Sequence, residues 1–237
     1  MTRRRWIADE VAGDRAALIG ANAGHLARVL RARVGQEFDI AVGSAVRRGR
    51  ITTIADSRVE FALGEEVSAA TAVDITLVLA IFKFDRMEWA IEKCTELGVV
   101  CFVPVIARRT EKHLAAAAGK RVDRWRRIAR QAAEQSRRGS VPEILTPIKL
   151  KEAVSLAGKS RIVLAETEQQ SMLKDVLQAE SSSGPVALAI GPEGGWTSEE
   201  LDLFRQSGWI TASLGNTILR AETAAIAATA IVVSEFS

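Results

Sequence analysis

Continuous apolar runs separated by helical segments restrict the fold of this chain more than any other feature. From residue 73 onwards the chain contains the runs VDITLVLAIF, VVCFVPVIA, RIVLAE and PVALAI. A run without polar interruptions fits a strand that is covered on both faces, as in parallel sheets. The intervening and following segments predict helices near 171–179, from Ser198 onwards and from about residue 222. This alternation predicts an α/β fold with a mainly parallel sheet.

The first part of the chain, residues 1–70, has a different pattern. The runs EFDIAV, GRITTIA and RVEFAL are short and alternating, with glycines between them, which predicts a small β-barrel or a sheet of short strands. Leu26, Val29 and Leu30 stand at helical spacing and predict one short helix among the strands. The composition of the segment GEEVSAATA then indicates a linker. Two domains are therefore expected, 1–70 and 71–237.

The net charge of +3 hides two strongly basic segments. Residues 1–50 contain ten basic and five acidic side chains, and residues 108–138 contain eleven and three. Almost all of these basic residues are arginine, whose planar guanidinium suits phosphate contacts. Two such segments favour a nucleic-acid partner over a merely solvated surface.

Several function classes do not fit this sequence. No run approaches the roughly 20 apolar residues of a membrane span, and no apolar run follows the opening MTRRRWIADE, so a cytoplasmic location without a signal peptide is expected. Cys94 and Cys101 are too few for a zinc site with only two histidines, so we expect reduced thiols and no metal. His25 and His113 have no nucleophile context, which argues against a hydrolytic triad.

Three loops follow buried strands and are candidates for a ligand site, since open parallel sheets bind ligands beyond the carboxyl ends of their strands. They are AETE after Leu164, GPEGGW after Ile190 and GNTILRAET after Leu214. Thr197 and Glu200 predict a capping box that satisfies the free amides of the next helix. The stretch lacks both a GxGxxG and a Gly-Lys-Ser/Thr ending, which excludes the common phosphate and dinucleotide motifs. A tight turn without a ligand stays open at this point.

The basic segment 108–138 also predicts an amphipathic helix. Its apolar face would contain Val122, Trp125, Ala129, Ala132, Ala133 and Ser136. Its basic face would contain Lys120, Arg124, Arg127, Gln131 and Arg138. This stripe favours a nucleic-acid contact, although a solvated surface would show the same pattern.

Together these motifs resemble the RsmE family of the SPOUT methyltransferase superfamily, which methylates N3 of a uridine in 16S ribosomal RNA. The resemblance is carried by LAIGPEGGWTSEEL and SLGNTILRAETAAIAATAI, with EKCTELGV, EQSRR and GHLARVLR earlier in the chain. It implies a PUA-like RNA-binding barrel in 1–70 and a SPOUT domain in 71–237 with a deep trefoil knot in about 160–237. It further implies S-adenosylmethionine as cofactor, 16S ribosomal RNA of the small subunit as partner, and a homodimer.

The resemblance also carries site residues onto this sequence. The cofactor residues are expected to be Leu164, Ala165, Glu166, Ile190, Gly191, Pro192, Glu193, Gly194, Leu214, Gly215, Ile218, Leu219 and Arg220. The catalytic candidates are Arg220, to stabilise charge or fix the loop, and Glu193 or Glu222, as proton acceptor or partner of the arginine. The RNA-binding candidates are Arg3, Arg4, Arg5, His25, Arg28, Arg31, Arg124, Arg127 and Arg138.

Some alternatives stay open. For each carboxylate, loop or helix capping competes with catalysis, and Asn216 departs from the residue expected after Gly215. The chain could instead be another SPOUT enzyme that methylates a ribose 2′-hydroxyl or a different base. It could also be a non-catalytic RNA-binding assembly protein.

Overall fold

The computed structural model describes residues 5–43, 45–67, 73–156, 158–179 and 184–236. The chain divides into two compact units. One takes in residues 1–71 and 133–141, and the other residues 72–132 and 142–237. No sequence pattern indicated that residues 133–141 group with the first unit.

The first unit is built on a six-stranded sheet. Its elements are β1 (Arg5–Ile7), β2 (Glu10–Ala12), β3 (Arg15–Ile19), α1 (Gly20–Gly24), β4 (Glu37–Val42), β5 (Ala45–Ala55) and β6 (Arg58–Glu66), with a π-helical turn at His25–Val29 after α1. The strand order is β1-β4-β5-β6-β3-β2; β1 and β4 pair in parallel, and the other pairs among the described strands are antiparallel. Two register shifts interrupt the β5–β6 ladder, and such irregularities bend a sheet.

The three strands and the short helix expected in this region are confirmed. The apolar side chains of Leu26, Phe38, Ile40 and Phe61 meet in its core. Val29, which the helical spacing placed with Leu26, is 65% exposed, because the backbone changes to π-helical geometry before it.

The second unit alternates strands and helices. Its elements are β7 (Ile75–Ala80), α2 (Phe84–Leu97), β8 (Cys101–Ile106), α3 (Lys112–Ala117), α4 (Val122–Gln135), β9 (Glu143–Ile144), β10 (Ile148–Lys149), α5 (Leu150–Ala153), β11 (Ser160–Leu164), α6 (Leu173–Ala179), β12 (Val186–Ile190), α7 (Ser198–Gln206), β13 (Ile210–Ala212) and α8 (Ala221–Phe236). The last three residues of α4 belong to the first unit.

The sheet of the second unit has the order β10-β8-β7-β12-β11-β13, with β9 paired to β8, and every described pair is parallel. Apolar side chains pack on both of its faces. The predicted α/β fold with a mainly parallel sheet is confirmed, because each uninterrupted apolar run became a strand covered on two sides. Within the described residues, no helix has both the length and the apolar character needed to cross a membrane.

Candidate functional site

The carboxyl ends of β7, β11, β12 and β13 open onto one cavity of about 390 Å³. Clefts of roughly 300 to 1,000 Å³ are typical of cofactor sites. The loops that follow β11 and β12, together with the loop from β13 to α8, supply most of its lining. These are the three loops that the sequence predicted, and the start of α2 adds a fourth wall.

Most residues expected to bind a cofactor line this cavity. The lining includes Leu164, Ala165, Glu166, Ile190, Gly191, Pro192, Glu193, Leu214, Gly215, Ile218, Leu219 and Arg220. Gly194 is absent from that lining, and a Cβ added to it would lie 3.3 Å from the side chain of Arg109. The structure therefore brings twelve of the thirteen residues together, while their binding role stays a prediction.

The GPEGGW loop is fixed at its end by the predicted capping box. Thr197 accepts a hydrogen bond from the Glu200 amide at 3.3 Å, and Glu200 accepts one from the Thr197 amide at 2.9 Å. The buried Glu200 carboxylate also accepts the Arg108 amide at 2.7 Å. Gly195 has φ +70, a conformation that favours glycine. The loop is thus a defined turn whose helix amides are satisfied by protein groups, as expected.

The loop between β13 and α8 forms the opposite wall. Gly215 has φ +118, and its amide donates a hydrogen bond to the Ser213 hydroxyl at 3.2 Å. Ile218 lines the cavity and is nevertheless 83% exposed. Such an apolar side chain at a cavity mouth is available to a ligand or to another protein surface.

A group of charged side chains stands beside the cavity. Arg86, in the first turn of α2, places Nη1 2.9 Å from Oε1 of Glu193 and Nε 3.8 Å from Oε1 of Glu222. The Nζ atom of Lys83 lies 3.9 Å from Oε2 of Glu193. Glu193 lines the cavity, whereas Glu222 does not, and its side chain is only 2% exposed.

Arg86 and Lys83 were missed by the sequence analysis. The loop that contains Lys83 leaves the carboxyl end of a buried strand just as the three chosen loops do. The position of that strand was therefore a usable signal.

Arg220 has a different environment from Arg86. It lines the cavity, is exposed, and its side chain makes no hydrogen bond or ion pair with another described residue. A cation left unpaired at a cavity is free to meet an anionic or polar group of a ligand.

Trp196 supplies an unsatisfied polar group to the same cavity. It lines the cavity, and no hydrogen-bond partner for its buried Nε1 exists among the described residues. A Cβ added to Gly191 would lie 3.3 Å from this nitrogen, so the strand-to-helix turn passes the indole closely. Glycine backbone and the apolar Leu164, Ile190 and Leu214 form a lining that fits a nucleoside-containing cofactor, with the unpartnered Trp196 nitrogen buried beside it.

Comparison with known proteins decides the family. A protein-family sequence model, described as "RNA methyltransferase domain", matches residues 69–233. The chain belongs to the RNA methyltransferase family. The chain is 34% identical to Ribosomal RNA small subunit methyltransferase E from Synechocystis, and the match covers 84% of this chain. The match covers 66% of that relative, so the chain spans slightly less than two thirds of its length.

Solved structures of methyltransferases resemble nearly the whole chain. Ribosomal RNA small subunit methyltransferase E from Neisseria gonorrhoeae, solved bound to S-adenosyl methionine, superposes with a TM-score of 0.82 at 30% identity, covering 96% of this chain and 95% of that one. A methyltransferase from Legionella pneumophila in complex with the same cofactor has a TM-score of 0.82 at 28% identity, covering 99% and 98%. The resemblance to the RsmE family is confirmed.

The predicted basic helix of this RNA methyltransferase is α4. Val122, Trp125, Ala129, Ala132 and Ala133 are buried, and Ser136, half-buried, follows the helix end. Lys120, which precedes α4, is exposed together with Arg124, Arg127 and Gln131.

The candidate RNA-binding side chains of this segment differ in their partners. Nε of Arg124 lies 2.7 Å from Oε1 of Glu88, and this contact raises the pKa of Arg124. Arg127 has no such partner among the described residues. Arg138 falls outside the predicted helical face, because α4 ends at Gln135 and Arg137 then adopts φ +58. Burial lowers the pKa of the half-buried Arg138.

In the first unit, three of the RNA-binding candidates are exposed: His25, Arg28 and Arg31. His25 packs its ring 5.9 Å from that of Trp6, and Arg31 adopts φ +51, which is uncommon for a residue with a side chain. Arg5 donates a hydrogen bond to the carbonyl of Arg137. Arg3 and Arg4 lie outside the described residues.

In the part of the chain that the structure describes, no group of three or more His, Cys, Asp and Glu side chains could hold a metal ion.

Proposed function

We propose that this protein transfers a methyl group from S-adenosylmethionine to N3 of a uridine in 16S ribosomal RNA of the small subunit. One observation carries the proposal: a single cavity collects twelve of the thirteen cofactor residues in a chain of the RNA methyltransferase family. It is supported by a similar protein, the small subunit methyltransferase E of Neisseria gonorrhoeae, that was solved with this cofactor.

The cavity residues fit the two ends of the cofactor. Leu214, Ile218 and Leu219 offer apolar surface for the adenine, and the backbone of Gly191 and the free Nε1 of Trp196 offer polar groups. S-adenosylmethionine, when bound, supplies a methyl group on a positively charged sulfur. The protein groups hold it in a fixed orientation, which is the larger part of what such a site must do.

The chain's own residues must also prepare the uridine. Loss of the N3 proton places negative charge on the uracil ring and its oxygens, and a fixed cation lowers the energy of that charge. Arg220 is the candidate, because it is an unpaired cation at the cavity. Glu193 and Glu222 are the candidates for accepting the proton. Of the two, Glu193 lines the cavity, so it is the carboxylate that a uracil ring bound inside the cavity would contact.

We propose finer features of the fold on the strength of the family resemblance. The bent six-stranded sheet supports a PUA-like RNA-binding barrel in 1–70. The parallel sheet supports a SPOUT methyltransferase domain in 71–237. A deep trefoil knot in about 160–237 is supported by the position of β11 between β12 and β13, and by the shared cavity of their loops.

The proposed RNA contacts are made by basic side chains in two segments of the sequence, 1–50 and 108–138. The candidates are Arg3, Arg4, Arg5, His25, Arg28, Arg31, Arg124, Arg127 and Arg138. Exposure of Arg28, Arg31, Arg124 and Arg127 supports them, since phosphate contacts need accessible cations.

A homodimer in the cytoplasm completes the proposal. Ile218, at the cavity, and Trp89, in α2, are large apolar side chains that are 83% and 52% exposed, which supports a contact with another protein surface. A ribosomal RNA substrate agrees with the cytoplasmic location.

The test is transfer of a deuterated methyl group from labelled S-adenosylmethionine. The purified protein is incubated with small subunits, and separately with free 16S ribosomal RNA, prepared from cells that lack the gene. Nucleoside mass spectrometry should then find mass-shifted 3-methyluridine. A mass-shifted 2′-O-methyl nucleoside or another methylated base would point to a different SPOUT activity. Absence of any labelled nucleoside, together with no heat of binding to the cofactor, would point to an assembly protein.

A further inference from the structure

We infer that Arg86 is a positioning residue that ties two walls of the cavity together. It stands in the first turn of α2, directly after the strand β7. Its Nη1 lies 2.9 Å from Oε1 of Glu193, in the loop after β12. Its Nε lies 3.8 Å from Oε1 of Glu222, in the first turn of α8. One guanidinium therefore reaches carboxylates on two separate segments.

Both segments gain a further constraint from Arg86. Glu193 stands in a turn with glycines at positions 191, 194 and 195, and glycines give the unbound turn many alternative conformations. Glu222 is two residues after Arg220, so whatever fixes Glu222 also restricts the backbone that carries Arg220. Ordering such segments before a ligand arrives reduces the entropy lost on binding.

The surroundings of Glu222 make Arg86 hard to replace. The side chain is 2% exposed, and its Oε2 has no hydrogen-bond partner among the described residues. A buried carboxylate without a nearby cation is costly, so the loss of Arg86, itself 30% exposed, would leave Glu222 uncompensated. Arg86 is the cation that the described structure places beside it.

Lys83 does not duplicate this role. Its Nζ lies 3.9 Å from Oε2 of Glu193, and no contact between Lys83 and Glu222 is present in the described structure. A lysine has a single charged centre, whereas the guanidinium of Arg86 uses two different nitrogens for its two carboxylates. We therefore expect Arg86→Lys to keep one contact at most.

The consequence for the reaction has two parts. Without Arg86, the loop of Glu193 loses one of its anchors and keeps the capping box and the Arg109 hydrogen bond to the Gly194 carbonyl, so cofactor binding weakens. The start of α8 also shifts to solvate Glu222, which displaces Arg220 and slows turnover. Arg86 also lines the cavity, and the positioning role inferred for it is exerted through Glu193 and Glu222.

The experiment compares Arg86→Gln, Arg86→Lys, Glu193→Gln and the double variant Arg86→Gln/Glu193→Gln. Arg205→Gln is the matched control, since Arg205 is an exposed arginine paired with Asp202 within α7, away from the cavity lining. Calorimetry gives the dissociation constant for S-adenosylmethionine, and steady-state methylation of small subunits gives kcat and KM. Thermal unfolding checks that each variant is folded.

We expect Arg86→Gln to weaken cofactor binding about tenfold and Arg86→Lys to recover part of it, which matches the coupling usual for contacting residues. The loss of affinity in the double variant should be smaller than the sum of the two single losses, because both changes remove the same Arg86–Glu193 contact. kcat should fall in Arg86→Gln even at saturating cofactor, which a role confined to stability would not produce.

This inference rests on the proposed function, and the outcomes separate the two. If the wild-type protein binds no S-adenosylmethionine, the proposed function fails and this inference fails with it. If the wild type binds and Arg86→Gln retains its affinity and kcat, only the role of Arg86 is overturned. Additive losses in the double variant also overturn it. If Arg86→Gln does not fold, Arg86→Lys and Glu193→Gln carry the test. Unchanged cofactor affinity in both of these variants would contradict the positioning role of Arg86.

Discussion

At the scale of single residues, two arginines of the site differ in the side chains that surround them. Arg86 is held between two carboxylates, whereas Arg220 lines the same cavity with a side chain that has no partner among the described residues. The loop residues around the cavity could be predicted because they follow buried strands. The Arg86 contacts could not, because residues 86, 193 and 222 are distant in the sequence and only the folded sheet brings them together.

Replacement of Arg220 by alanine should abolish methylation while the protein still folds. Its exposed side chain makes no described contact, so the unfolding midpoint should stay close to the wild-type value. Loss of a donor for developing charge typically lowers kcat by about 10² to 10³, which would leave methylation barely detectable. Single-turnover methylation of small subunits measures the effect, with Arg205→Gln as the control. Near-normal turnover in Arg220→Ala would remove this residue from the mechanism.

The two cysteines should differ from ordinary thiols in reactivity. Burial raises the pKa of Cys94 to about 12 and that of Cys101 to about 11, with Glu143 and Asp74 contributing to the second shift. At pH 8 the folded protein should therefore alkylate very slowly at Cys94, because the reactive thiolate is roughly a thousandfold scarcer than in a free thiol. Mass spectrometry after iodoacetamide treatment, with and without urea, measures this.

The same thiols give a stability dependence on pH. The unfolded chain releases these protons near pH 9, whereas the folded chain keeps them until pH 11 to 12. The free energy of unfolding should therefore decrease as pH rises from 9 towards 12. Rapid labelling of Cys94 in the folded state at pH 8 would contradict its buried position.

At the scale of elements, the sequence predicted long apolar strands better than short ones. The runs that became β7, β8, β11 and β12 contain enough buried residues to specify a strand locally. The two-residue strands β9 and β10 have no such pattern and exist through pairing with β8. The capping box before α7 was predictable because all of its partners lie within four residues.

Loss of that capping box should destabilise the protein measurably. Thr197→Ala removes the side-chain acceptor for the Glu200 amide, and loss of such a cap costs about 1 kcal/mol. Urea unfolding should show a lower midpoint with an unchanged slope. Ser198→Ala, at the exposed next position, is the control and should leave the midpoint in place. Equal midpoints for the two variants would mean that the cap does not support α7.

At the scale of the whole molecule, a small net charge is distributed unevenly. The basic side chains gather in residues 1–50 and 108–138, which contribute to both structural units. Such segregation predicts binding to a polyanion with a strong dependence on salt. Composition alone could not identify that partner. Three loops at one cavity and a family model over residues 69–233 point to an RNA methyltransferase.

Neutralising the exposed face of α4 should weaken RNA binding without altering cofactor binding. Arg127→Gln should reduce the slope of log affinity against log salt by about one, as expected for one lost phosphate contact. Arg124→Gln should have a smaller effect, because Arg124 must first leave Glu88. Fluorescence anisotropy with 16S ribosomal RNA fragments at several salt concentrations measures both. An unchanged slope in both variants would exclude this face from the RNA contact.

We propose that this protein makes 3-methyluridine in 16S ribosomal RNA. Nucleoside mass spectrometry of 16S ribosomal RNA from cells that lack the gene tests this proposal. One 3-methyluridine should disappear in these cells; the wild-type gene should restore it, and the Arg220→Ala gene should not. Full 3-methyluridine in the cells that lack the gene would contradict the proposed function.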